Sequence, residues 1–164
     1  MTHINQPPHI EVGQIIPAFT LPGADGMPHS PWDYKQHQNL ILLFVSSTLS
    51  SETRGLLLTY SKVYSAIREE QCSILVISLD KVLDNLLTQS EIHLPYPLLA
   101  DPKGEVFSQY TRRDSMMDYY HPCLVLIDRY NALHQQWIAE READLPRIDE
   151  LLDSLHYLNK LCTP

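Results

Sequence analysis

Residues 39–60, NLILLFVSSTLSSETRGLLLTY, decide the fold of this chain. The run Leu40–Val45 is continuously apolar, which is typical of a central parallel strand buried on both faces. After the Ser/Thr-rich residues 46–51, apolar residues recur at helical spacing, which predicts one helix that continues to Ile67. Ser50 or Ser51 is expected to cap this helix, and Gly55 is its weak point. The stretch therefore predicts the strand–loop–helix unit of an α/β protein.

The remaining segments continue the alternation of strands and helices. A hairpin with an Asp25-Gly26 turn is predicted first, followed by a helical turn capped by Ser30. Further strands are predicted at Ile74–Asp80, Tyr96–Ala100, Cys123–Asp128 and Ala132–Ile138, and further helices at Val82–Glu91, up to Tyr110 and from Leu145 to Leu158. The expected fold is an α/β sandwich with a central mixed sheet flanked by helices. Residues 12–164 are predicted to form one domain, and residues 1–11 a loose arm.

Composition excludes several function classes. The chain has 164 residues, a formal net charge of −8 and a pI of about 5.4. This charge argues against nucleic-acid binding and against attachment to anionic membranes. No apolar run is long enough to span a bilayer, and we expect no secretory signal. The three cysteines, Cys72, Cys123 and Cys162, are too few and too widely spaced for a disulfide framework, which favours the reducing cytosol.

Several segments, in this order, resemble the alkyl hydroperoxide reductase/thiol-specific antioxidant (peroxiredoxin) branch of the thioredoxin-like fold. They are Val12-Gly13 with Pro17–Pro22, Asp25-Gly26, Asn39–Phe44, Val76–Asp80, Pro97–Gly104 and Val125–Asp128. The resemblance covers roughly residues 12–160. It implies a thioredoxin-like fold of peroxiredoxin type, a family chemistry of thiol-dependent peroxide reduction, and no cofactor. Because dimers are common in the family, it also implies a homodimer.

The catalytic motif of that family is incomplete in this chain. The family has Thr-x-x-Cys at the N-terminus of the helix after the central strand, where the helix dipole and an arginine lower the pKa of the thiol. Thr48 matches the threonine, but Ser51 falls on the cysteine. A serine hydroxyl cannot attack a peroxide and be recycled through a sulfenic acid. The glutamate often found three residues later is Arg54.

The family's arginine is replaced as well. Counting back from Ile127-Asp128 places Pro122 at its position. The segment His121-Pro122-Cys123 is more similar to the cis-proline segment of thioredoxins, so the resemblance implies a cis bond before Pro122. The thioredoxin Cys-x-x-Cys would fall near residues 49–52, where there is no cysteine. Both catalytic schemes of the superfamily therefore lack their thiols at the same place.

Four residues at this edge are candidates for binding: Ser50, Glu52, His121 and Pro122. The hydroxyls and free backbone N–H groups that open the helix suit an anion or a polar ligand, although Glu52 opposes an anion. The alternative is simple helix capping. His121 is either a pH-sensitive contact or acid/base group, or a loop histidine with no special role. Since no Cys/His cluster has zinc spacing, we expect no metal.

Cys123, Cys162 and one loop have two interpretations each, whereas Cys72 has one. Cys123 is either a displaced redox thiol or a strand cysteine packed as a small hydrophobe. Cys162 lies where two-cysteine peroxiredoxins keep a resolving cysteine, or is an exposed bystander, and Cys72 is interpreted as structural. The segment Asp114–His121, rich in Met and Tyr, is either an interface or ligand surface or a loop packed on its own sheet.

The sequence favours a peroxiredoxin-like binding or regulatory module without thiol peroxidase activity, located in the cytoplasm. It would hold a small molecule or a protein at the degenerate edge that includes Thr48, Ser51, His121 and Pro122. The alternative is an antioxidant thiol oxidoreductase or peroxidase, in which Ser51 is an engineered replacement of a native cysteine or Cys123 is the redox thiol. The two hypotheses differ in whether this chain turns over peroxide.

Overall fold

Nine strands, five α-helices and two short 3-10 helices (Pro31–Tyr34 and Glu142–Asp144) make up the computed structural model, which describes residues 10–161. The strands are β1 (Leu21–Pro22), β2 (Pro28–His29), β3 (Asn39–Val45), β4 (Cys72–Ser78), β5 (Leu98–Ala100), β6 (Arg113–Asp114), β7 (Tyr119–Tyr120), β8 (Cys123–Ile127) and β9 (Leu133–Ile138). The helices are α1 (Ser51–Lys62), α2 (Tyr64–Glu69), α3 (Val82–Ile92), α4 (Phe107–Tyr110) and α5 (Ile148–Leu161). The predicted alternation of strands and helices is confirmed.

One five-stranded mixed sheet lies at the centre, with strand order β5-β4-β3-β8-β9. Strand β3 pairs in parallel with β4, where Leu43 lies opposite Val76, and antiparallel with β8, where Leu43 lies opposite Leu124. Every residue of β3 is buried, as its apolar run predicts. The parallel pairing expected for β3 therefore holds on one side only.

Two hydrophobic clusters cover the two faces of the sheet. Helices α1, α2 and α5 pack on one face, where Leu57, Ile67 and Leu155 are completely buried. Helix α4 and the N-terminal segment pack on the other face, where Phe44 and Phe107 meet edge to face at 5.2 Å between ring centroids. Since side chains alternate along a strand, neighbouring residues of β3 and β8 enter different clusters.

The helix after β3 is interrupted, which corrects the prediction of one continuous helix. Helix α1 ends at Lys62 and α2 begins at Tyr64, because Val63 leaves the helical backbone (φ −108°, ψ 8°). The backbone N–H of Val63 donates to the carbonyl of Tyr60, three residues back, so the chain tightens there. Gly55 lies inside α1 without breaking it.

The segments before β3 follow the expected turn chemistry. Strands β1 and β2 form an antiparallel hairpin, and Gly26 in its turn has a φ of +81°. The Ser30 hydroxyl accepts a hydrogen bond from the Trp32 N–H, and the Asp33 carboxylate accepts one from the Ser30 N–H. This is a capping box at the predicted helical turn.

Part of the predicted organisation lies outside the described residues. Of the arm expected for residues 1–11, Ile10 and Glu11 are described, and Ile10 is buried in the core. Cys162 also lies outside the described range. Within residues 10–161, no helix is long and apolar enough to cross a membrane.

Candidate functional site

The loop of residues 46–50 connects β3 to α1 at the edge of the sheet where β3 and β4 end and β8 begins. This placement follows from register, since Phe44, near the end of β3, lies opposite Cys123, the first residue of β8. The Leu79 N–H, just past β4, donates to the Ser46 carbonyl at 3.2 Å. Carboxyl ends of parallel strands and a helix N-terminus thus meet at one edge, which is where open α/β sheets bind ligands.

Thr48 is completely buried in a polar network at this edge. Its backbone N–H donates to Asp80 Oδ2 at 2.7 Å, and its Oγ1 lies 3.1 Å from the same oxygen. The same hydroxyl is 3.0 Å from Asn85 Oδ1 and 3.0 Å from Thr88 Oγ1, and both residues lie on α3. Thr48 therefore fixes the loop to β4 and α3, and its hydroxyl is not offered to solvent.

Arg54 adds a second connection between α1 and α3. Its Nε donates to the Thr48 carbonyl at 2.9 Å, and its Nη2 donates to Thr88 Oγ1 at 3.1 Å. Its Nη1 forms an ion pair with Glu91 at the end of α3. One planar guanidinium thus connects the loop, through the Thr48 carbonyl, to Thr88 and Glu91 of α3.

The two serines that open α1 are exposed. Ser50 occupies the N-cap position, but its side chain makes no capping hydrogen bond. Ser51 is the first residue of the helix, so its hydroxyl stands where the resemblance implies a thiol. The prediction that the hydroxyl of Ser50 or Ser51 caps α1 is wrong, since Ser50 makes no capping hydrogen bond and Ser51 lies within the helix. The Ser47 hydroxyl holds the loop instead: it accepts from the Leu49 N–H and donates to Asp80.

A cleft of about 200 Å³ lies beside the first turn of α1. It contains two of the predicted binding residues, Glu52 and Pro122. Thr48 and Ser51 are absent from its lining. The lining residues are Ser46, Glu52, Tyr119, Tyr120, Pro122, Glu140, Arg141 and Glu142. The structure therefore combines the start of α1, the start of β8 and the segment after β9 into one site.

The cleft carries more negative than positive groups, with three glutamates and one arginine in its lining. The Arg141 Nε lies 3.3 Å from Asp144 Oδ2, which neutralises part of its charge. The Thr53 hydroxyl contacts both carboxylate oxygens of Glu142, at 2.8 and 2.9 Å. Burial raises the pKa of Glu142, the Thr53 hydrogen bond opposes this effect, and the nearby charge of Glu52 adds to it. Glu142 is thus an anchored and partly desolvated carboxylate.

Pro122 lines this cleft, whereas the predicted binding residues His121 and Ser50 are absent from its lining. All peptide bonds of residues 10–161 are trans, so the expected cis bond before Pro122 is wrong. The His121 Nδ1 lies 3.1 Å from the Ala139 carbonyl, and its ring centroid is 5.2 Å from that of Tyr119. A hydrogen bond from Nδ1–H to that carbonyl leaves Nε2 as the ring atom that can contact a ligand.

Cys123 lies at the same edge of the sheet as the start of α1, but its side chain enters the face opposite α1. Its side chain is completely buried in the cluster that contains Phe44 and α4, whereas α1 packs on the opposite face. The Sγ donates to the Tyr110 carbonyl at 3.7 Å and accepts from Gln136 Nε2 at 3.6 Å. Burial raises the pKa of Cys123 to about 12, despite the Gln136 hydrogen bond. These properties favour the packed structural thiol over the displaced redox thiol.

Cys72 is a second free and buried thiol, at the opposite end of the sheet. Burial raises its pKa well above the ordinary value. Within the described part of the chain, no group of three His, Cys, Asp or Glu residues is placed to hold a metal ion.

Sequence reasoning missed the residues that complete the cleft, Glu140, Arg141 and Glu142, and the anchor Asp80. The strand order, however, could have indicated both the segment Glu140–Glu142 and Asp80. Strand β9 runs antiparallel to β8, with Cys123 opposite Ile138, so the residues after β9 return to the edge where β8 starts. Asp80 follows the second parallel strand, whose end adjoins that of β3.

Together, the mixed sheet, its flanking helices and the loop at the start of α1 define a thioredoxin-like fold of peroxiredoxin type. The chain belongs to the AhpC/TSA family, whose model matches residues 12–136. A curated relative, the peroxiredoxin bcp1 of Schizosaccharomyces pombe, is 28% identical over 102 residues, or 61% of this chain. The chain matches about half, 51%, of the length of that relative.

Solved structures of the same fold cover most of the chain. Peroxidoxin BcpB from Mycobacterium tuberculosis superposes with a TM-score of 0.81 at 20% identity, over 92% of this chain and 99% of its own. The reduced 2-Cys peroxiredoxin of Plasmodium vivax superposes with a TM-score of 0.78 at 18% identity, over 92% and 97%. At these identities the likeness establishes the fold.

Proposed function

We propose that this AhpC/TSA-family protein is a binding or regulatory module without thiol peroxidase activity. Its cleft beside α1 would bind a cationic group of a small molecule or of a protein partner. One observation carries the proposal: the exposed position at the start of α1 is Ser51, whereas Cys72 and Cys123 are both completely buried.

The requirements of the chemistry support the proposed absence of peroxidase activity. A thiol reduces peroxide as the thiolate, which must be exposed and is stabilised by nearby positive charge. Burial raises the pKa of Cys123 to about 12, so this thiol remains protonated at neutral pH. At the cleft, the carboxylates of Glu52 and Glu142 replace the positive charge that a thiolate needs.

The preference for a cation follows from the lining of the cleft. Glu52, Glu140 and Glu142 provide carboxylates, and Arg141 is engaged by Asp144. Tyr119 and Tyr120 add two aromatic rings, whose faces attract cations. An ammonium or guanidinium group is therefore favoured over an anion by charge and by ring chemistry.

A peroxidase assay tests the first half of the proposal. The full chain is incubated with hydrogen peroxide and a dithiol reductant, beside the variants Ser51→Cys and Cys123→Ser. We expect no turnover above the uncatalysed rate for the chain as it stands. Turnover by this chain that is lost in Cys123→Ser would instead establish the displaced-thiol oxidoreductase. Turnover only in Ser51→Cys would show that the peroxide pocket is intact and that Ser51 alone disables it.

A titration tests the second half. The amide spectrum of the full chain is followed by NMR while Nα-acetyl-arginine amide is added, with acetyl-glutamate amide as the anionic comparison. We expect saturable shifts at Glu52, Tyr119 and Glu142 with the cationic probe only, and weaker binding in Glu142→Gln. The matched control is Asp149→Asn, which removes the same charge from the exposed start of α5. Equal losses in both variants would mean that net charge alone attracts the probe, which would contradict a site.

We further propose that the protein acts in the cytoplasm. The support is that Cys72 and Cys123, the cysteines within residues 10–161, are free thiols. Fluorescence of a tagged full-length protein in cell fractions would test this location.

A further inference from the structure

The β6–β7 hairpin presents an exposed tip whose residues play no part in the cleft beside α1. Met116 and Met117, in the turn of this hairpin, are 92% and 72% exposed. Arg112, Arg113 and Ser115 are exposed as well, and none of the three lines the cleft. The segment Arg-Arg-Asp-Ser-Met to which they belong is therefore accessible to a protein that binds the surface of this chain.

Two arginines precede Ser115 in sequence. Arg112 lies three positions before the serine and Arg113 lies two positions before it. Among all serines and threonines of the 164 residues, Ser115 is the one with an arginine at either of these positions. One class of protein kinase selects its substrates by this pattern, because carboxylates in the substrate groove form charge-assisted hydrogen bonds with the guanidinium groups. The sequence before Ser115 therefore has the charge pattern that an arginine-directed serine/threonine kinase recognises.

The tip of the hairpin is weakly held, so a kinase can bind it as an extended segment. Strands β6 and β7 have two residues each, and a two-stranded hairpin of this length is marginally stable by itself. An ion pair joins Arg113 to Asp118, but these side chains are 58% and 75% exposed, and an exposed ion pair contributes little to stability. The Asp114 carboxylate accepts from the N–H groups of Met116 and Met117, which are local bonds that water can replace.

We propose that Ser115 is phosphorylated by an arginine-directed serine/threonine kinase, and that the phosphoryl group then replaces the Asp118 carboxylate as the partner of Arg113. In this reaction the Ser115 Oγ forms a bond to the γ-phosphorus of ATP. The bond between that phosphorus and the β–γ bridging oxygen breaks, and ADP leaves. The proton of the serine hydroxyl passes to the catalytic carboxylate of the kinase.

The register of the hairpin places the new charge beside the ion pair. Asp114 lies opposite Tyr119, so the next two residues, Ser115 and Asp118, face each other across the turn. A phosphoserine carries a charge of about −1.5 to −2 and three acceptor oxygens, so it repels the Asp118 carboxylate at this separation. Because Arg113 already reaches Asp118, its guanidinium is within reach of the phosphoryl group too, which offers it the larger charge.

Phosphorylation of the full chain by the catalytic subunit of cyclic-AMP-dependent protein kinase, with Mg-ATP, tests the recognition. We expect phosphate at Ser115, located by peptide mass spectrometry and absent from Ser115→Ala. Arg112→Ala should lower the initial rate by at least about tenfold, because the kinase loses a charge-assisted contact. The matched control is Arg147→Ala, at an exposed arginine with no serine or threonine two or three residues after it, and it should leave the rate unchanged. Phosphate that is not incorporated, or that persists in Ser115→Ala, would overturn the proposal.

Asp118→Asn distinguishes this class of kinase from the class that prefers acidic substrates. The variant removes the partner of Arg113, so an arginine-directed kinase should phosphorylate Ser115 faster. A serine with an aspartate three positions after it also matches the preference of acid-directed kinases, for which casein kinase 2 is the probe. Phosphorylation that only casein kinase 2 achieves, and that Asp118→Asn slows, would assign Ser115 to that class and contradict the role of the arginines.

Phosphorus NMR of the phosphorylated chain tests the exchange of partners. We expect the second pKa of the phosphoserine to lie below its ordinary value of about 6, because the Arg113 guanidinium stabilises the dianion. Asp118→Asn should lower this pKa further, since it removes the competing carboxylate. Arg113→Ala, phosphorylated by a longer incubation, should return the pKa to its ordinary value. A pKa that is the same with and without Arg113 would overturn the exchange.

Discussion

The backbone N–H of Thr48 donates a 2.7 Å hydrogen bond to Asp80 Oδ2, and the Thr48 hydroxyl lies 3.1 Å from the same oxygen. One carboxylate after β4 thereby holds the loop after β3, next to the start of α1. Since Thr48 is completely buried, its N–H and hydroxyl are shielded from water, and leaving either of them unpaired is costly. Thr48, the residue that matches the family's threonine, thus positions the loop through buried hydrogen bonds and is not itself exposed at the site.

Replacement of this hydroxyl should destabilise the chain. We expect Thr48→Val, which preserves the shape, to lower the free energy of unfolding by about 1–3 kcal/mol, because Asp80 and Thr88 each lose a buried partner. Thr48→Ser keeps the hydroxyl and should lose less than half as much. Urea unfolding measures both variants, and a loss in Thr48→Ser as large as that in Thr48→Val would contradict the expectation that the hydroxyl contributes more than the methyl group.

The described thiols should be silent in the native state. We expect Cys72 and Cys123, in a Cys162→Ser variant, to resist a chromogenic disulfide reagent at neutral and mildly alkaline pH. Both are completely buried, and burial raises the pKa of Cys123 to about 12. In denaturant both thiols should react at once. Rapid native reaction that disappears in Cys123→Ser would revive the redox interpretation of that residue.

Two glycines should respond in opposite ways to alanine. A Cβ at Gly55, inside α1, would meet no atom within 4 Å, so Gly55→Ala should raise the free energy of unfolding by roughly 0.5–1 kcal/mol. Gly104 has a φ of +70°, and a Cβ there would lie 3.0 Å from the Tyr120 ring. Gly104→Ala should therefore destabilise the chain. Thermal unfolding of the pair tests both expectations, and stabilisation by Gly104→Ala would contradict the turn geometry.

Glu142 should give the stability a recognisable pH dependence. Burial raises its pKa above the ordinary value, so the folded chain takes up a proton at higher pH than the unfolded chain. The contribution of Glu142 to the free energy of unfolding therefore rises as the pH falls from neutral through this pKa. We expect the free energy of unfolding of Glu142→Gln, relative to that of the unmodified chain, to be most favourable at neutral pH. This difference should shrink as the pH falls.

Asp149→Asn is the comparison variant, because the carboxylate of Asp149 should give the stability a pH dependence of the opposite sign. Its hydrogen bond with Arg147 lowers the pKa of Asp149, so the stability contributed by this carboxylate is lost as the pH falls. Urea unfolding at a series of pH values measures both variants. A pH-independent difference for Glu142→Gln would show that its carboxylate is not perturbed by burial.

Much of the fold follows from local patterns in the sequence. The run Leu40–Val45 is apolar throughout because β3 is covered on both faces and paired on both edges. The antiparallel partner β8 could not be foreseen from that run, since a fully buried strand carries no mark of its neighbour's direction. The break at Val63 was also missed, because the apolar spacing continues across it.

The site was less accessible to prediction because it depends on which face each side chain enters. The edge that contains Ser51, Pro122 and Cys123 could be inferred from strand order, but the position of Cys123 behind the sheet depends on the register of β8. The sequence alone places Thr48 in a catalytic motif, because its hydrogen-bond partners Asp80 and Thr88 lie 32 and 40 residues away. Long-range hydrogen bonds of this kind leave no local pattern.

The burial of Cys72 and Cys123 has a consequence for how this protein would behave under oxidative stress. Thiols that oxidants cannot reach are not oxidised to sulfenic, sulfinic or sulfonic acid. Cys72 and Cys123 would therefore remain reduced after exposure of the native protein to peroxide. A catalytic thiol, by contrast, is spent or damaged in proportion to the oxidant it meets. The proposed binding of a cationic group at the acidic cleft would then not depend on either of these thiols, and it would persist at peroxide levels that inactivate enzymes with an exposed catalytic thiol.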